Sequence, residues 1–340
     1  MSTTSARTTL AEVASSAGVS VATVSKVVNG RSDVAPETRV RVQELLDRNG
    51  YQRRGYRRVT VRPSIELAFE GDLVAYSSEI IQGVVDAARP TGTPVVVTRR
   101  AIGELEGVVD DWARDRADSG VRALIAVTSV LSAAQLAALA DAGVHLVVID
   151  PIQLPNVDVT SVGSTNFVGG MSAAQHLLDL GHRRIAYLGG YARAACNQAR
   201  MHGFRAALER ARVELPASYV RSSQFMYADG VAGGAALFDL PQPPTAVFAA
   251  SDELAVGVME AARSRGLRTP DDISIVGFDD TQLARMASPP LTTVRQPLAE
   301  MGRVAVRTAL RLVDGESIDS HHVELATELV LRRSTAPPRA

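Results

Sequence analysis

From Ile65 onward, short apolar runs ("SIELAF", "TPVVVT", "ALIAVT", "HLVVID", "RIAYLGG", "TAVFAAS" and "ISIVGFDD") alternate with segments of helical periodicity. Runs that are apolar on both faces and separated by amphipathic helices build parallel sheets covered on both sides, so the body is predicted to be α/β. Ligands in such folds sit beyond the carboxyl ends of the strands. The small or polar residues that close each run are therefore the ones to weigh.

A chain of 340 residues, 46% hydrophobic and 21% charged, is long enough for more than one packed domain and too apolar for a disordered one. Its net charge of −1 conceals a segregation. Residues 1–63 carry 11 Lys+Arg against 5 Asp+Glu, which leaves 25 against 32 for the rest. A basic head on an acidic body suggests a polyanion-binding unit joined to one with another task. The single cysteine, Cys196, excludes an intramolecular disulfide framework. With no apolar leader in "MSTTSARTTL" and no long apolar stretch, a cytoplasmic protein is expected.

In the head, "TTLAEVASSAGVSVATVSKVVNG" reads as two helices joined by a tight turn. Thr9 with Glu12 forms a capping box, Leu10, Val13, Ala14 and Ala17 recur at helical spacing, and Gly18 closes the helix. Ser20 caps the second helix and Asn29-Gly30 stops it. Pro36 suits the first position of a third helix, "PETRVRVQELLDRNG", whose Val40, Val42, Leu45 and Leu46 are expected to cover the other two. Spacing alone leaves a helical hairpin without DNA contact open as a reading.

"TLAEVASSAGVSVATVSKVVNG", followed by "VAPETRVRV" and "NGY", closely resembles the headpiece of the LacI/GalR family of bacterial repressors. The resemblance implies that Val21, Ala22 and Lys26 face base edges in the major groove. Ser20, Thr23, Ser25 and Asn29 then lie toward phosphates, with Thr9 also among the DNA-contacting residues. Hydroxyl and amide donors fix register on the backbone, whereas Lys26 can donate to a guanine.

The resemblance continues through the body in "SVGSTNFVGGMSAAQHLLDLGHRRIAYLGG", "ARMHGFRAAL", "AVFAASDELAVGVMEAARSRGLRTPDDISIVGFDD", "ASPPLTTVRQPLAEMG" and "VELATELVLRRST". It implies a two-lobed, doubly wound sensor of the type I periplasmic-binding-protein kind behind a three-helix helix-turn-helix headpiece. The expected plan is a headpiece over 1–50, a basic linker over 51–63 and a sensor over 64–335. Crossovers between its lobes are expected near Val162, Leu291 and His321. Lobe 1 then spans about 64–161 and 291–320, and lobe 2 about 162–290 and 321–335.

Family positions carry over one at a time. Asp150 and Asp279 match carboxylates that take ligand hydroxyls, Arg200 an arginine that reaches into the cleft, and Phe225 an aromatic that stacks on the ligand, with Tyr76 as its counterpart in the first lobe. Ser129 and Asn197 are weaker candidates, as are Glu70 and Asp72, and Ser251 stands where the family often has asparagine. A planar guanidinium and carboxylates grip adjacent hydroxyls, and rings cover the apolar face of a pyranose. Each has a duller reading. Asp150 before Pro151 is also a turn residue, Asp279 with Asp280 is also a helix cap, Arg200 a solvated charge, and Phe225 and Tyr76 core residues.

Nucleophile-elbow, phosphate-loop and zinc-protease motifs are absent. No metal or other cofactor is expected, and catalysis is not expected. The reading is a DNA-binding homodimer that leaves a near-palindromic operator when a mono- or oligosaccharide enters the cleft. A purine effector, a corepressor, a sugar receptor without a DNA role and a sugar-active enzyme are the alternatives.

The segment "NGYQRRGYRRVTVRP" stands where the family has its hinge helix, but it is shorter and lacks the Pro-Asn start and the leucine that wedges into the minor groove. Its Arg53, Arg54, Arg57 and Arg58 suit phosphates or a narrow minor groove. Replacing all four with alanine should therefore weaken operator binding and flatten its salt dependence, by about 0.9 in log–log slope for each phosphate no longer neutralised. Fluorescence anisotropy across a salt series measures this, and an unchanged slope reduces the stretch to a spacer.

Overall fold

A computed structural model describes residues 9–28, 34–48, 63–99, 109–153 and 159–339. The chain divides into two compact units, Met1–Val61 and Arg62–Ala340.

The first unit packs three helices, α1 (Leu10–Ala17), α2 (Val21–Val28) and α3 (Pro36–Arg48). The Glu12 N–H donates to Thr9 Oγ1 and the Thr9 N–H to Glu12 Oε2, so the capping box forms at both ends. Gly18 ends α1 at φ 65°, a left-handed conformation that glycine adopts without Cβ strain. Val13, Ala14, Ala17, Val24, Val27, Val34, Val42 and Leu46 form the core. Val40, expected to join them, is 58% exposed: two positions before Val42 on a 3.6-residue helix, it points to the far side.

The second unit is built on two six-stranded sheets. Along the chain run β1 (Ser64–Phe69), α4 (Ala75–Ala88), β2 (Val95–Arg99), α5 (Val109–Asp118), β3 (Val121–Val127), α6 (Ala133–Asp141), β4 (His145–Ile149) and β5 (Ser161–Ser164). Next come α7 (Asn166–Asp179), β6 (Ile185–Gly189), α8 (Ala195–Arg210), β7 (Val220–Ser222), α9 (Tyr227–Phe238), β8 (Ala246–Ala249), α10 (Asp252–Arg263) and β9 (Ser274–Asp279). The last elements are α11 (Gln282–Met286), β10 (Thr292–Arg295), α12 (Leu298–Val313), β11 (His322–Leu325) and β12 (Glu328–Val330).

The strand orders are β11-β5-β4-β3-β1-β2 and β12-β10-β9-β8-β6-β7. Every pairing is parallel except β10 with β12. Within β1, Ile65, Leu67 and Phe69 pack under α4 and α12 while Ala68 faces the layer holding Trp112 and Leu139. In β6, Leu188 lies under α9 and α10 and Tyr187 under α7 and α8. Burial on both faces is why these runs are apolar without alternation.

The chain passes between sheets after β5, between β10 and α12, and between β11 and β12. The expected crossovers near Val162, Leu291 and His321 fall a few residues early. β5 and β11 complete the first sheet, with Ser161 opposite His322, and β10 completes the second, with Thr292 opposite Val276. A strand finishes its ladder before the chain can leave the sheet, so the end of each apolar run marks the crossing.

The helix pair α4–α12 meets through backbone. A Cβ at Gly83 would lie 2.0 Å from the Ala299 carbonyl oxygen, and one at Gly302 would lie 2.8 Å from that of Ile80. Gly83→Ala must push α12 off the sheet, at a cost of about 3 kcal/mol by the magnitude of core overpacking. Urea unfolding of the variant measures it; a loss under about 1 kcal/mol would show that the two helices slide apart freely.

Candidate functional site

In the first unit, α2 presents an exposed face. Val21 is 47% exposed, and Ser20, Ala22, Lys26 and Thr9 are also exposed, while Thr23 and Ser25 are half-buried. The Thr23 N–H donates to Ser20 Oγ at 3.1 Å, so the turn into α2 is held by one of the hydroxyls expected to meet phosphate. Asn29, Arg53, Arg54, Arg57 and Arg58 lie outside the described residues.

In the second unit the carboxyl ends of the strands converge on one buried arginine. Arg200, on α8, is 3% exposed. Its Nε donates to Asn166 Oδ1 (2.8 Å) and its Nη1 to the Ala250 carbonyl (2.6 Å), while the guanidinium lies 3.8 Å from the centre of the Phe278 ring. Asp279 Oδ1 is 3.9 Å from Nη1 and accepts a hydrogen bond from Gln296 Nε2 at 2.7 Å. Asp150, at the end of β4, accepts the Tyr76 hydroxyl proton at 2.9 Å. Both aspartates are left-handed, at φ 49° for Asp150 and 112° for Asp279, which turns their side chains back across the strand ends.

Burial raises the pKa of both carboxyls, Asp279 well above the usual range, and the Arg200 charge pulls each partly back. Burial works against the Arg200 charge too, but the surrounding acids, Asp279 and Asp150 among them, outweigh it. The Cys196 thiol stands in the same field and is pushed up to about 11 by burial, which keeps it neutral. Tyr76 is raised well above its ordinary value by burial and by Asp150.

Of the expected ligand residues, Tyr76, Asp150, Arg200 and Asp279 come together. Phe225 is half-buried at φ 65°, its ring laid over Gly190, where a Cβ would sit 2.0 Å from it. The ring of Tyr191, 51% exposed, stands 6.5 Å away. The hydroxyl of Ser129 donates to the Val127 carbonyl at 3.0 Å. Asn197 Oδ1 accepts from the Tyr187 hydroxyl (2.8 Å) and the Gly190 N–H (3.0 Å), so it braces the turn after β6. Ser251 caps α10, accepting from the Leu254 N–H at 3.2 Å. Asp72 pairs with Arg99 at the surface. Neither Asp279 nor Asp280 caps α11. Asp280 is held instead by Arg295 (2.7 Å) and Arg332 (2.5 Å).

Three residues were not anticipated. Asn166 and Gln296 each follow a strand, β5 and β10, and the rule that singled out Asp150 reaches them as well. Asp252 is fully buried and accepts from the Thr281 N–H (2.7 Å), Thr281 Oγ1 (3.0 Å) and Thr293 Oγ1 (2.6 Å), which anchors the turn carrying Asp279. Among the described residues no His, Cys, Asp and Glu cluster has the makings of a metal site, and no helix is long and apolar enough to cross a membrane.

Residues 9–54 match the model of bacterial regulatory proteins of the lacI family, and residues 174–335 match a periplasmic binding protein-like domain. The HTH-type transcriptional regulator DegA of Bacillus subtilis (strain 168) is 33% identical over 97% of this chain and 99% of its own. The chain belongs to the LacI family. Like its LacI-family relatives it is a DNA-binding transcriptional regulator and not an enzyme. Two solved LacI-family structures share its fold. One is a complex of the transcriptional regulator CelR with cellobiose (30% identity, TM-score 0.70, 96% of this chain and 100% of that one). The other is the lac repressor dimer bound to operator and the anti-inducer ONPF (28%, 0.69, 97% and 100%).

The acids of this site give stability a definite pH dependence. Burial raises the Asp252 carboxyl to about 7, against about 4 in an unfolded chain. Asp150 and Asp279 shift in the same direction. The folded state therefore holds protons that the unfolded state has released, and stability falls as pH rises from about 4 through about 7. Urea midpoints at pH 5 and pH 8 should differ in that sense, and Asp252→Asn should narrow the gap; an equal gap would place the linkage elsewhere.

Proposed function

We propose that this regulator represses transcription as a cytoplasmic homodimer on a near-palindromic operator, and leaves it when a neutral saccharide binds between the two lobes of its sensor. The observation that carries the effector class is the balance of charge around Arg200. One guanidinium faces two buried acids, Asp150 and Asp279, with Tyr76 and Asn166 completing the polar wall. A phosphorylated ligand brings a further negative charge to a site holding a single positive one. Vicinal hydroxyls, in contrast, donate to the carboxyl oxygens and accept from the guanidinium with no change in net charge. Phe225 and Tyr191 supply the ring surface a pyranose uses. That CelR was solved with cellobiose supports the same class.

The domain plan of this reading is a headpiece over 1–50, a linker over 51–63 and a sensor over 64–335. On the DNA side, Val21, Ala22 and Lys26 face the bases, and Thr9, Ser20, Thr23 and Ser25 the backbone, of one half-site. Two-fold symmetry supplies the second half-site. The saccharide releases DNA because it binds one lobe arrangement better than the other.

A thermal-shift screen of neutral mono- and oligosaccharides, sugar phosphates and purines, followed by operator binding with each hit, tests this. A neutral saccharide should stabilise the protein and weaken operator binding, and Asp279→Asn should cost that saccharide about ten-fold or more in affinity. A purine as the sole hit overturns the effector class, and a hit that tightens operator binding overturns induction.

A further inference from the structure

Several helices of the sensor begin without a side-chain cap of their own, α4 and α8 among them. α4 starts after Val74 and α8 after Ala194, and neither residue has a side chain able to accept a hydrogen bond. By contrast α6 and α10 are capped by Ser132 and Ser251 within their own lobes. In α4 and α8 the first amide finds its acceptor across the cleft. The Ala75 N–H, in the first lobe, donates to Glu253 Oε1 on α10 of the second at 3.3 Å. The Ala195 N–H, in the second lobe, donates to the Ile152 carbonyl in the loop after β4 of the first at 2.8 Å.

We infer that the two lobes hold each other closed by reciprocal capping, each supplying the acceptor for the first amide of a helix in the other, so that opening the cleft uncaps both helices together. The helix dipole strengthens the first contact, because the Glu253 carboxylate meets the positive end of α4. One turn further along α4, Glu79 is paired with Arg285 of α11 at 3.1 Å. The clasped turns also carry cluster residues, since Tyr76 follows Ala75 and Cys196 follows Ala195. Closure by this device needs no ligand and so sets the fraction of empty protein in which the cleft is shut. An effector then shifts that fraction by its own preference for one arrangement.

The geometry allows a selective test. Proline is well accepted at the first position of a helix and has no N–H, and both preceding residues are extended, as a following proline requires (Val74 φ −114°, ψ −175°; Ala194 φ −67°, ψ 126°). Ala75→Pro and Ala195→Pro therefore delete the donors while sparing the helices, and Glu253→Ala deletes one acceptor without adding bulk. Glu253→Gln keeps an acceptor. The full-length, effector-free chain carries a single cysteine, the half-buried Cys196 beside the second clasp, whose thiol opening exposes further. Removal of one such hydrogen bond should raise the labelling rate of Cys196 by an uncharged thiol reagent roughly five-fold.

Glu253→Ala, Ala75→Pro and Ala195→Pro are expected to speed labelling, and Glu253→Gln to stay near the parent. Hydrogen exchange adds the decisive arm, because Ala75→Pro should also expose the Ala195 amide and Ala195→Pro the Ala75 amide. Unchanged labelling in Glu253→Ala, or exchange altered only in the substituted helix, overturns reciprocal capping. Thermal melts identify a misfolded variant, and the remaining substitutions then decide the question.

Discussion

The sensor is organised around a charge that cannot be left alone. A guanidinium at 3% exposure has lost nearly all its water, and the cost of that is met only by well-placed acceptors and counter-charge. Each partner of Arg200 comes from the carboxyl end of a strand or the segment just beyond it: Asn166 after β5, the Ala250 carbonyl after β8 and Asp279 at the end of β9. Phe278, in β9, supplies a ring face for the remaining side of the ion. Asp279 meets this charge from a backbone in the left-handed region, at φ 112°. Asp252 then fixes that strained turn from below through three hydrogen bonds.

Close packing keeps these strand ends in register. The helix pair α7–α8, which carries Asn166 and Arg200, meets backbone to backbone, with Gly170 against the Arg200 carbonyl and Gly203 against that of Phe167. The α9–α10 pair repeats the arrangement, with Gly230 against the Leu254 carbonyl and Gly257 against that of Tyr227. A helix seated this deeply cannot translate without lifting off its sheet, so the polar atoms it carries are held by apolar packing some distance away. The site is polar in its chemistry and apolar in its support.

Much of this is legible in the sequence, for identifiable reasons. The capping box at Thr9 and Glu12, the stop at Gly18 and the α/β alternation are local signals, and local signals survive folding. Asp150 and Asp279 stand out because strand ends are where doubly wound folds place ligands, and the family resemblance points to the same positions and to Arg200 on α8. Ser129 and Ser251 satisfy the same positional rule and Asn197 sits near the arginine on α8, yet their hydrogen bonds go to Val127, Leu254 and Gly190, and a position in the sequence does not reveal which way a hydroxyl or amide turns. Asn166 and Gln296 are hard to see for the converse reason: a neutral amide carries no charge signal, although it bridges charged groups as well as an acid does. Asp252 is hard to see because an acid in the first turn of α10 reads as a helix-dipole partner, whereas its carboxylate turns inward to Thr281 and Thr293.

The cores explain why the two lobes can move as bodies. Among the described residues, each apolar cluster of the sensor belongs to one lobe: those around Ile65 and Trp112 to the first, and those around Leu188 and Phe204 to the second. Polar contacts cross the cleft among the described residues, including the Glu253 and Ile152 contacts and the Glu79–Arg285 pair. Breaking polar contacts exposes groups that water can satisfy, so the net free energy of opening is a small difference of large terms, unlike the loss of a shared apolar core. In the function proposed above, a two-lobed body joined in this way lets a small, uncharged ligand, with only a few hydrogen bonds to offer, decide between two lobe arrangements.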